Sequence, residues 1–194
     1  MSNVVYVCFL KDVDPGEHVL NRVTNYVGSL IHGTGCHHVE FCFPDRDDYW
    51  STSIYQGETV SISREKTFRN PGYKVYTLTI SDEDLENAKR FIKSCVSNVA
   101  FSQVAMYMST LPVQLLPRAY LNGTTFCSKY VGEILQSAGV GYMHQVNTNI
   151  LTPSKFLRIM GDKCPPMLGT VTYKAKNIHV SNKTFYSLLE NDHN

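Results

Sequence analysis

Segments typical of β-strands dominate the first eighty residues, and their number and spacing constrain the fold more than any other feature. They are rich in Val, Ile, Thr, Phe and Tyr, and turn residues such as the run Asn70–Gly72 separate them. The predicted strands are 3–10, 36–43, 51–56, 58–63 and 73–80, with a hairpin turn at Gln56-Gly57. Short connections of this kind join antiparallel neighbours. The sequence therefore predicts an antiparallel sheet.

Helical periodicity occurs between and after these strands. Apolar residues recur at helical spacing within 17–31, 85–95, 130–138 and 156–160. Ser81–Asp84 resembles a capping box, while Thr124-Thr125 and Thr152-Pro153 are typical helix starts. Residues 99–123 contain two prolines and predict loops with short helical turns. We predict a single α+β domain over 1–194, with its core at about 3–175, a last strand at 170–175 and a peripheral tail at about 176–194.

The charge balance and hydropathy exclude some classes of partner. The 194 residues include 18 Lys and Arg against 17 Asp and Glu, a formal net charge of +1. We therefore expect no nucleic-acid partner, because no positive field is available to hold a phosphate backbone. No apolar run approaches the ~20 residues of a transmembrane helix, and no signal-type segment is seen. These features predict a cytoplasmic protein whose six cysteines are mostly reduced thiols.

Cys127 falls in the first turn of the helix predicted after Thr124-Thr125. A thiol there feels the positive end of the helix dipole and backbone N–H groups, which favour the thiolate and can stabilise an oxyanion. The backbone N–H of Cys127 is the expected oxyanion donor. The alternative interpretation is a small core residue on an amphipathic helix, which is how we interpret Cys95.

A nucleophilic thiol needs a base, and the predicted strand at 36–43 offers histidines. Alternation places His38 and Glu40 on the face opposite Val39 and the aromatic residues, which leaves the histidine face free to meet the cysteine helix. We choose His38 over His37, which alternates with the apolar residues, and over His32 at a helix end. Glu40 either orients the imidazole or is a solvent-facing charge.

Two segments together resemble a known family. They are His38–Phe43 (HVEFCF) and, about ninety residues later, Phe126–Val131 (FCSKYV). They resemble the histidine strand and the cysteine helix of the permuted papain-like cysteine hydrolases. In ordinary papain-like and NlpC-type peptidases the cysteine helix comes first. In the permuted branch, which includes YiiX-like and lecithin:retinol acyltransferase-like proteins, the order is reversed, as it is here. The resemblance covers about residues 36–160.

The resemblance implies a circularly permuted papain-like (NlpC-type) fold, in which an antiparallel sheet packs against the helix that carries Cys127. It implies a cysteine hydrolase or acyltransferase without cofactor or metal, with Cys127 as the nucleophile and His38 as the base. The bond attacked would be an amide, ester or thioester in a peptide, isopeptide or acyl-lipid substrate. Proteins of this type also occur in large DNA viruses, and such a chain would act in the host cytoplasm.

The third catalytic position departs from the family pattern. In such families a polar residue on the strand after the histidine strand often orients the imidazole. Here that region offers Ser51, Ser53 and Gln56 but no His, Asp or Glu before Glu58. Either a polar group from 51–56 takes this position, or Glu40 substitutes for it; Ser53 and Gln56 are the candidates for the third residue or for an oxyanion donor.

Two other functions fit the same residues. Cys36, His38, Cys42 and His32 combine ligand types that Zn²⁺ selects, but Cys36 and Cys42 would lie about 20 Å apart along an extended strand at ~3.3 Å per residue. The second alternative is a binding module that kept the fold and lost catalysis. The weak third position and Trp50 near the predicted cleft motivate it.

Overall fold

Five strands form an antiparallel sheet in the computed structural model of the chain, and four α-helices accompany it within the described residues. Those residues are 2–10, 36, 38–45, 48–54, 59–63, 73–96, 98–109 and 124–163. The predicted α+β class is therefore confirmed. The predictions for the helix at 17–31, the strand at 170–175 and the tail at 176–194 lie outside the described residues, as do those for His32, His37 and Gln56.

The strands are β1 (Ser2–Leu10), β2 (His38–Asp45), β3 (Asp48–Ser53), β4 (Ser61–Ser63), β5 (Tyr73–Ser81), β6 (Ala100–Phe101) and β7 (Thr124–Thr125). The helices are α1 (Asp82–Cys95), α2 (Gln103–Met108), α3 (Cys127–Ser137) and α4 (Pro153–Lys163). The large sheet has the order β4-β3-β2-β1-β5, and β6 pairs in parallel with β7. None of the helices in the described ranges has the length and hydropathy that crossing a membrane requires.

The apolar alternation of β1 places one face of the sheet in the core. Val5, Val7 and Phe9 are fully buried, and β1 is paired along its length with β5 and over half of it with β2. The rings of Phe9 and Tyr76 meet edge to face at 5.7 Å, an arrangement that aromatic quadrupoles favour. The strands predicted at 3–10 and 73–80 are thus confirmed.

The hairpin of β2 and β3 differs from its predicted bounds. The sequence predicted strands at 36–43 and 51–56, but β2 spans His38–Asp45, and β3 spans Asp48–Ser53 with Asp45 opposite Asp48. The physical reason is the aromatic pair of Phe43 and Trp50, which are directly opposite each other and both buried. Pairing of the two buried rings accounts for the extension of the ladder to Asp45 and Asp48.

Helix α1 begins as predicted. The Ser81 hydroxyl accepts a hydrogen bond from the backbone N–H of Asp84, and the Asp84 carboxylate accepts one in return from the backbone N–H of Ser81. This reciprocal capping box satisfies two backbone donors at the helix start. Leu85, Ala88 and Ile92 are buried, so the predicted core-facing stripe is also confirmed.

Helix α3 lies on the apolar face of the large sheet. The hydroxyl groups of Tyr130 and Thr52 are 2.9 Å apart, and Thr52 stands opposite the buried Phe41 in the β2–β3 ladder. Directly opposed residues share a face of the sheet, so α3 packs against the side that carries Phe41. Gly139, with φ +66°, follows the helix and ends it in a left-handed conformation that glycine adopts readily.

The start of α3 differs from the prediction. The N-cap is Phe126, in extended conformation (φ −142°, ψ 164°), and its side chain makes no capping hydrogen bond. Neither Thr124 nor Thr125 caps the helix, because both are held in β7, where Thr125 is paired with Phe101. A contact between segments distant in sequence has overridden the local capping signal.

The region after α3 leads into α4, which begins as predicted. Short 3-10 turns at Gly141–Met143 and Thr148–Ile150 precede it. The Thr152 hydroxyl accepts from the backbone N–H of Lys155 at 3.2 Å. The predicted cap and helix start at Thr152-Pro153 are therefore confirmed.

Candidate active site

Cys127 is the first residue of α3, and only 2% of it is exposed. The backbone N–H groups of a first helical turn have no intrahelical acceptors, and the positive end of the helix dipole lies there. The N-cap side chain does not occupy these donors, since Phe126 carries no polar atom. The thiol therefore lies at a helix end suited to negative charge.

The structure brings His38 and Cys127 together in hydrogen-bond contact, as the sequence predicted. Burial alone would lower the pKa of His38 from its ordinary 6.5. Hydrogen bonds to Cys127 and Glu40, together with the negative charges of these two partners, outweigh burial and raise that pKa to about 9. The surroundings of His38 therefore favour the imidazolium form at neutral pH.

The geometric reason given for this contact was wrong. His38 was expected to meet α3 across a shared polar face, but α3 packs on the opposite, apolar face, where Thr52 contacts Tyr130. His38 is the first residue of β2 and Cys127 the first residue of α3. Because each lies at the end of its element, the sheet does not separate them.

Ser53 sets the tautomer of His38. The Ser53 hydroxyl donates to the carbonyl oxygen of Val39 at 2.9 Å, and the same oxygen lies 2.9 Å from Nε2 of His38. A hydroxyl has one proton, and a carbonyl oxygen can only accept it. Ser53 must therefore accept from His38, so Nε2 carries a proton.

Glu40 is a buried carboxylate beside the imidazole. Only 1% of it is exposed, so the alternative of a solvent-facing charge is wrong. Its Oε1 lies 3.5 Å from Nε2 of His38, and its Oε2 accepts a 2.6 Å hydrogen bond from the Ser51 hydroxyl. A hydrogen bond of this length between a hydroxyl and a carboxylate is strong and favours the ionised carboxylate. Glu40 thus places negative charge next to the protonated Nε2 of His38.

Ser51 was among the polar residues that the sequence offered for the third position, but it was not singled out as Ser53 and Gln56 were. The signal was present, because Ser51 and Ser53 alternate on β3 as His38 and Glu40 do on β2. Each serine oxygen contacts one member of the His38–Glu40 pair, Ser51 with Glu40 and Ser53 with His38. All four residues therefore lie on one hairpin and form a connected polar network.

The two cysteines of the zinc site considered as an alternative contact other groups. Cys42 lies with its sulfur 3.7 Å from that of Cys8, and the Cys36 thiol donates to the backbone oxygen of His38 at 3.6 Å. Within the described part of the chain, no three His, Cys, Asp or Glu side chains cluster as metal ligands. Cys95 is buried in the core, as predicted.

Comparison of the chain with protein-family models, curated proteins and solved structures finds no match. The chemistry of the site is thus argued from its geometry. A thiol at a helix start, an imidazole in contact with it and a buried carboxylate behind the ring form an arrangement that can activate a sulfur nucleophile.

Proposed function

We propose that the protein is a cysteine hydrolase or acyltransferase that attacks an amide, ester or thioester carbonyl through Cys127 and His38. The single observation that carries the proposal is the contact between the Cys127 thiol and the His38 imidazole at the start of α3. The order of histidine strand, sheet and cysteine helix supports a permuted papain-like fold of the NlpC type. The substrate is a peptide, an isopeptide or an acyl lipid.

The first step is proton transfer from sulfur to nitrogen. Nε2 of His38 is protonated and directed at Ser53 and Glu40, so Nδ1 is the nitrogen available to Cys127. Nδ1 takes the thiol proton, which gives a thiolate and an imidazolium. The ion pair gains from the charge of Glu40 on one side and from the helix start on the other.

Acyl transfer to the enzyme follows from this ion pair. The sulfur of Cys127 forms a bond to the carbonyl carbon, and the π electrons move to the carbonyl oxygen. The backbone N–H of Cys127 donates to that oxyanion. When the carbonyl re-forms, the bond to the leaving group breaks, and His38 returns its Nδ1 proton to that group. A thioester remains on Cys127, and water or an acceptor nucleophile releases the acyl group.

Glu40 and Ser53 together fill the third position in this proposal. Ser53 orients the His38 ring by accepting a hydrogen bond from the Nε2 proton, and Glu40 stabilises the imidazolium electrostatically. Neither contacts the reacting carbonyl, so both are positioning residues. This division explains how the site works without a His, Asp or Glu early on the strand after the histidine strand.

The test combines thiol alkylation with detection of an acyl-enzyme. Wild-type protein is treated with iodoacetamide near pH 7, and peptide mass mapping reports which cysteine reacts. We expect Cys127 to react faster than a model thiol of pKa ~8.5. The His38→Ala variant should lose this excess reactivity, and Cys127→Ala should remove the adduct with little loss of stability.

The matched control is Cys95→Ala, because Cys95 is also a buried helical cysteine but lies in the core at the end of α1. It should leave alkylation of Cys127 unchanged. Intact-mass profiling with acyl-donor and peptide electrophiles then identifies the bond class. A Cys127 no more reactive than a free thiol, with no acyl adduct from any electrophile, would support the inactive binding module instead.

A further inference from the structure

The hydroxyl group of Thr125 is buried without a hydrogen-bond partner among the residues that the structure describes. Only 3% of the residue is exposed. Most buried polar side-chain atoms in folded proteins have a partner, because a buried donor without one costs stability. An orphaned hydroxyl therefore calls for an explanation, and a ligand that supplies the missing partner is one.

The backbone directs Thr125 to the same side of the chain as the nucleophile. Phe126 between them is extended, with φ −142° and ψ 164°. Across an extended residue, the side chains before and after it point to the same side, so the side chains of Thr125 and Cys127 leave the backbone on one side. The β6–β7 pairing fixes this geometry, since the Thr125 carbonyl accepts from the backbone N–H of Ser102 at 2.9 Å.

The Thr125 hydroxyl does not cap helix α3 either. Threonine readily caps a helix by accepting from N–H groups of the first turn, yet the N-cap is Phe126, which makes no side-chain hydrogen bond. Two features therefore occur next to Cys127: a first helical turn whose N-cap side chain makes no hydrogen bond, and a buried O–H without an acceptor among the described residues. Both offer hydrogen-bond donors, and both suit a negatively charged oxygen.

We propose that Thr125 is a catalytic residue whose hydroxyl donates a hydrogen bond to the oxyanion formed when Cys127 attacks a carbonyl. The assignment rests on the proposed function of Cys127 and adds a second donor to its backbone N–H. The hydroxyl keeps its proton throughout. As the C–S bond forms and the π pair moves to oxygen, the hydrogen bond strengthens; when the oxyanion collapses, His38 protonates the leaving group.

The decisive variant is Thr125→Val, which keeps the shape of the side chain and removes the hydroxyl. Loss of one oxyanion donor lowers acyl transfer by about 10²-fold, so we expect acylation by p-nitrophenyl acetate to fall by about that factor. Alkylation by iodoacetamide forms no oxyanion and should stay within about twofold of wild type. Thermal unfolding should show unchanged or higher stability, because an unsatisfied buried hydroxyl is removed.

Two further variants make these outcomes decisive. Thr125→Ser keeps the hydroxyl and should retain acylation within a few-fold. Thr148→Val is the matched control, since Thr148 is also buried but its hydroxyl donates to Glu133. It should lose stability without a comparable loss of acylation per folded molecule.

The results separate this assignment from the proposed function. If wild type is acylated and Thr125→Val is acylated equally fast, the assignment is overturned while the function of Cys127 stands. The assignment is also overturned if Thr125→Val is less stable than wild type, or if Thr125→Ser loses as much acylation as Thr125→Val. If wild type reacts with neither probe faster than a free thiol does, the proposed function fails, and the assignment fails with it.

Discussion

Replacement of Glu40 by Gln tests the electrostatics of the site most directly. The substitution preserves the size of the side chain and an oxygen that can accept from Ser51. It removes the negative charge 3.5 Å from Nε2 of His38. Because the carboxylate is buried, water does not replace its effect on the imidazolium. We expect the variant to fold and its His38 to hold a proton less strongly.

The magnitude follows from the pKa of His38. Burial lowers it from 6.5, while Cys127 and Glu40 raise it to about 9, a net effect of about 3 kcal/mol at ~1.4 kcal/mol per pH unit. Only two partners produce the rise, and burial opposes both. Cys127 is the larger of these two contributors, so we expect the pKa of His38 in the variant to lie below that of wild type and above the value that burial alone would give.

The sign of the pH dependence also follows. The folded-state pKa of His38 is above its unfolded value, so the stabilisation by its partners is fully present below about pH 6.5. It is lost as the pH rises through about 9. In Glu40→Gln the loss should be smaller and should be complete at a lower pH, as urea denaturation across this range can measure.

Titration of the imidazole C–H resonances by NMR, assigned with a His38 variant, measures the change itself. Iodoacetamide alkylation of Cys127 at pH 7 should fall by up to about tenfold for each pH unit lost. Glu86→Gln is the matched control, because Glu86 is an exposed glutamate on α1, paired with Lys89 at 3.2 Å. A His38 pKa in Glu40→Gln equal to that in wild type would refute the electrostatic role of Glu40.

Two further predictions concern orientation and stability. Ser53→Ala removes the acceptor of the Nε2 proton and the hydrogen bond to Val39; we expect urea denaturation to show a loss of about 1–2 kcal/mol and acylation rates to fall through lower kcat. An unchanged kcat would show that Ser53 does not position the ring. Gly139→Ala places a Cβ at φ +66° and 2.9 Å from the Asp84 carboxylate, so we expect at least about 1 kcal/mol of destabilisation with unaltered alkylation per folded molecule; equal stability would contradict the strain argument.

The elements that sequence reasoning predicted well are those with local signals. The Ser81–Asp84 capping box and the Thr152 cap each depend on residues within one helical turn, so a short stretch of sequence is enough to predict them. The apolar stripe of α3 is local in the same sense. The pairing of His38 with Cys127 could be predicted from residue types and from the family resemblance, although the face of β2 that was expected to meet α3 was wrong.

The parts that could not be predicted depend on contacts distant in sequence. The β6–β7 pairing moves the N-cap of α3 to Phe126, and no local pattern indicates that pairing. The burial of Glu40 is of the same kind, because Glu40 stands opposite the fully buried Cys8 in the β1–β2 ladder. A carboxylate on an alternating strand is typical of solvent exposure, and only tertiary packing decides otherwise.

The β2–β3 hairpin carries the imidazole, the carboxylate and both serine hydroxyls, and this concentration limits how the gene can change in length. Side chains alternate along a strand, so insertion or deletion of a single codon within β2 or within β3 would turn the following side chains of that strand to the other face. Such a frame-preserving change ahead of Ser51 in β3 would point Ser51 and Ser53 away from their partners. Within these two strands, only a gain or loss of two codons at a time keeps the polar side chains on one face.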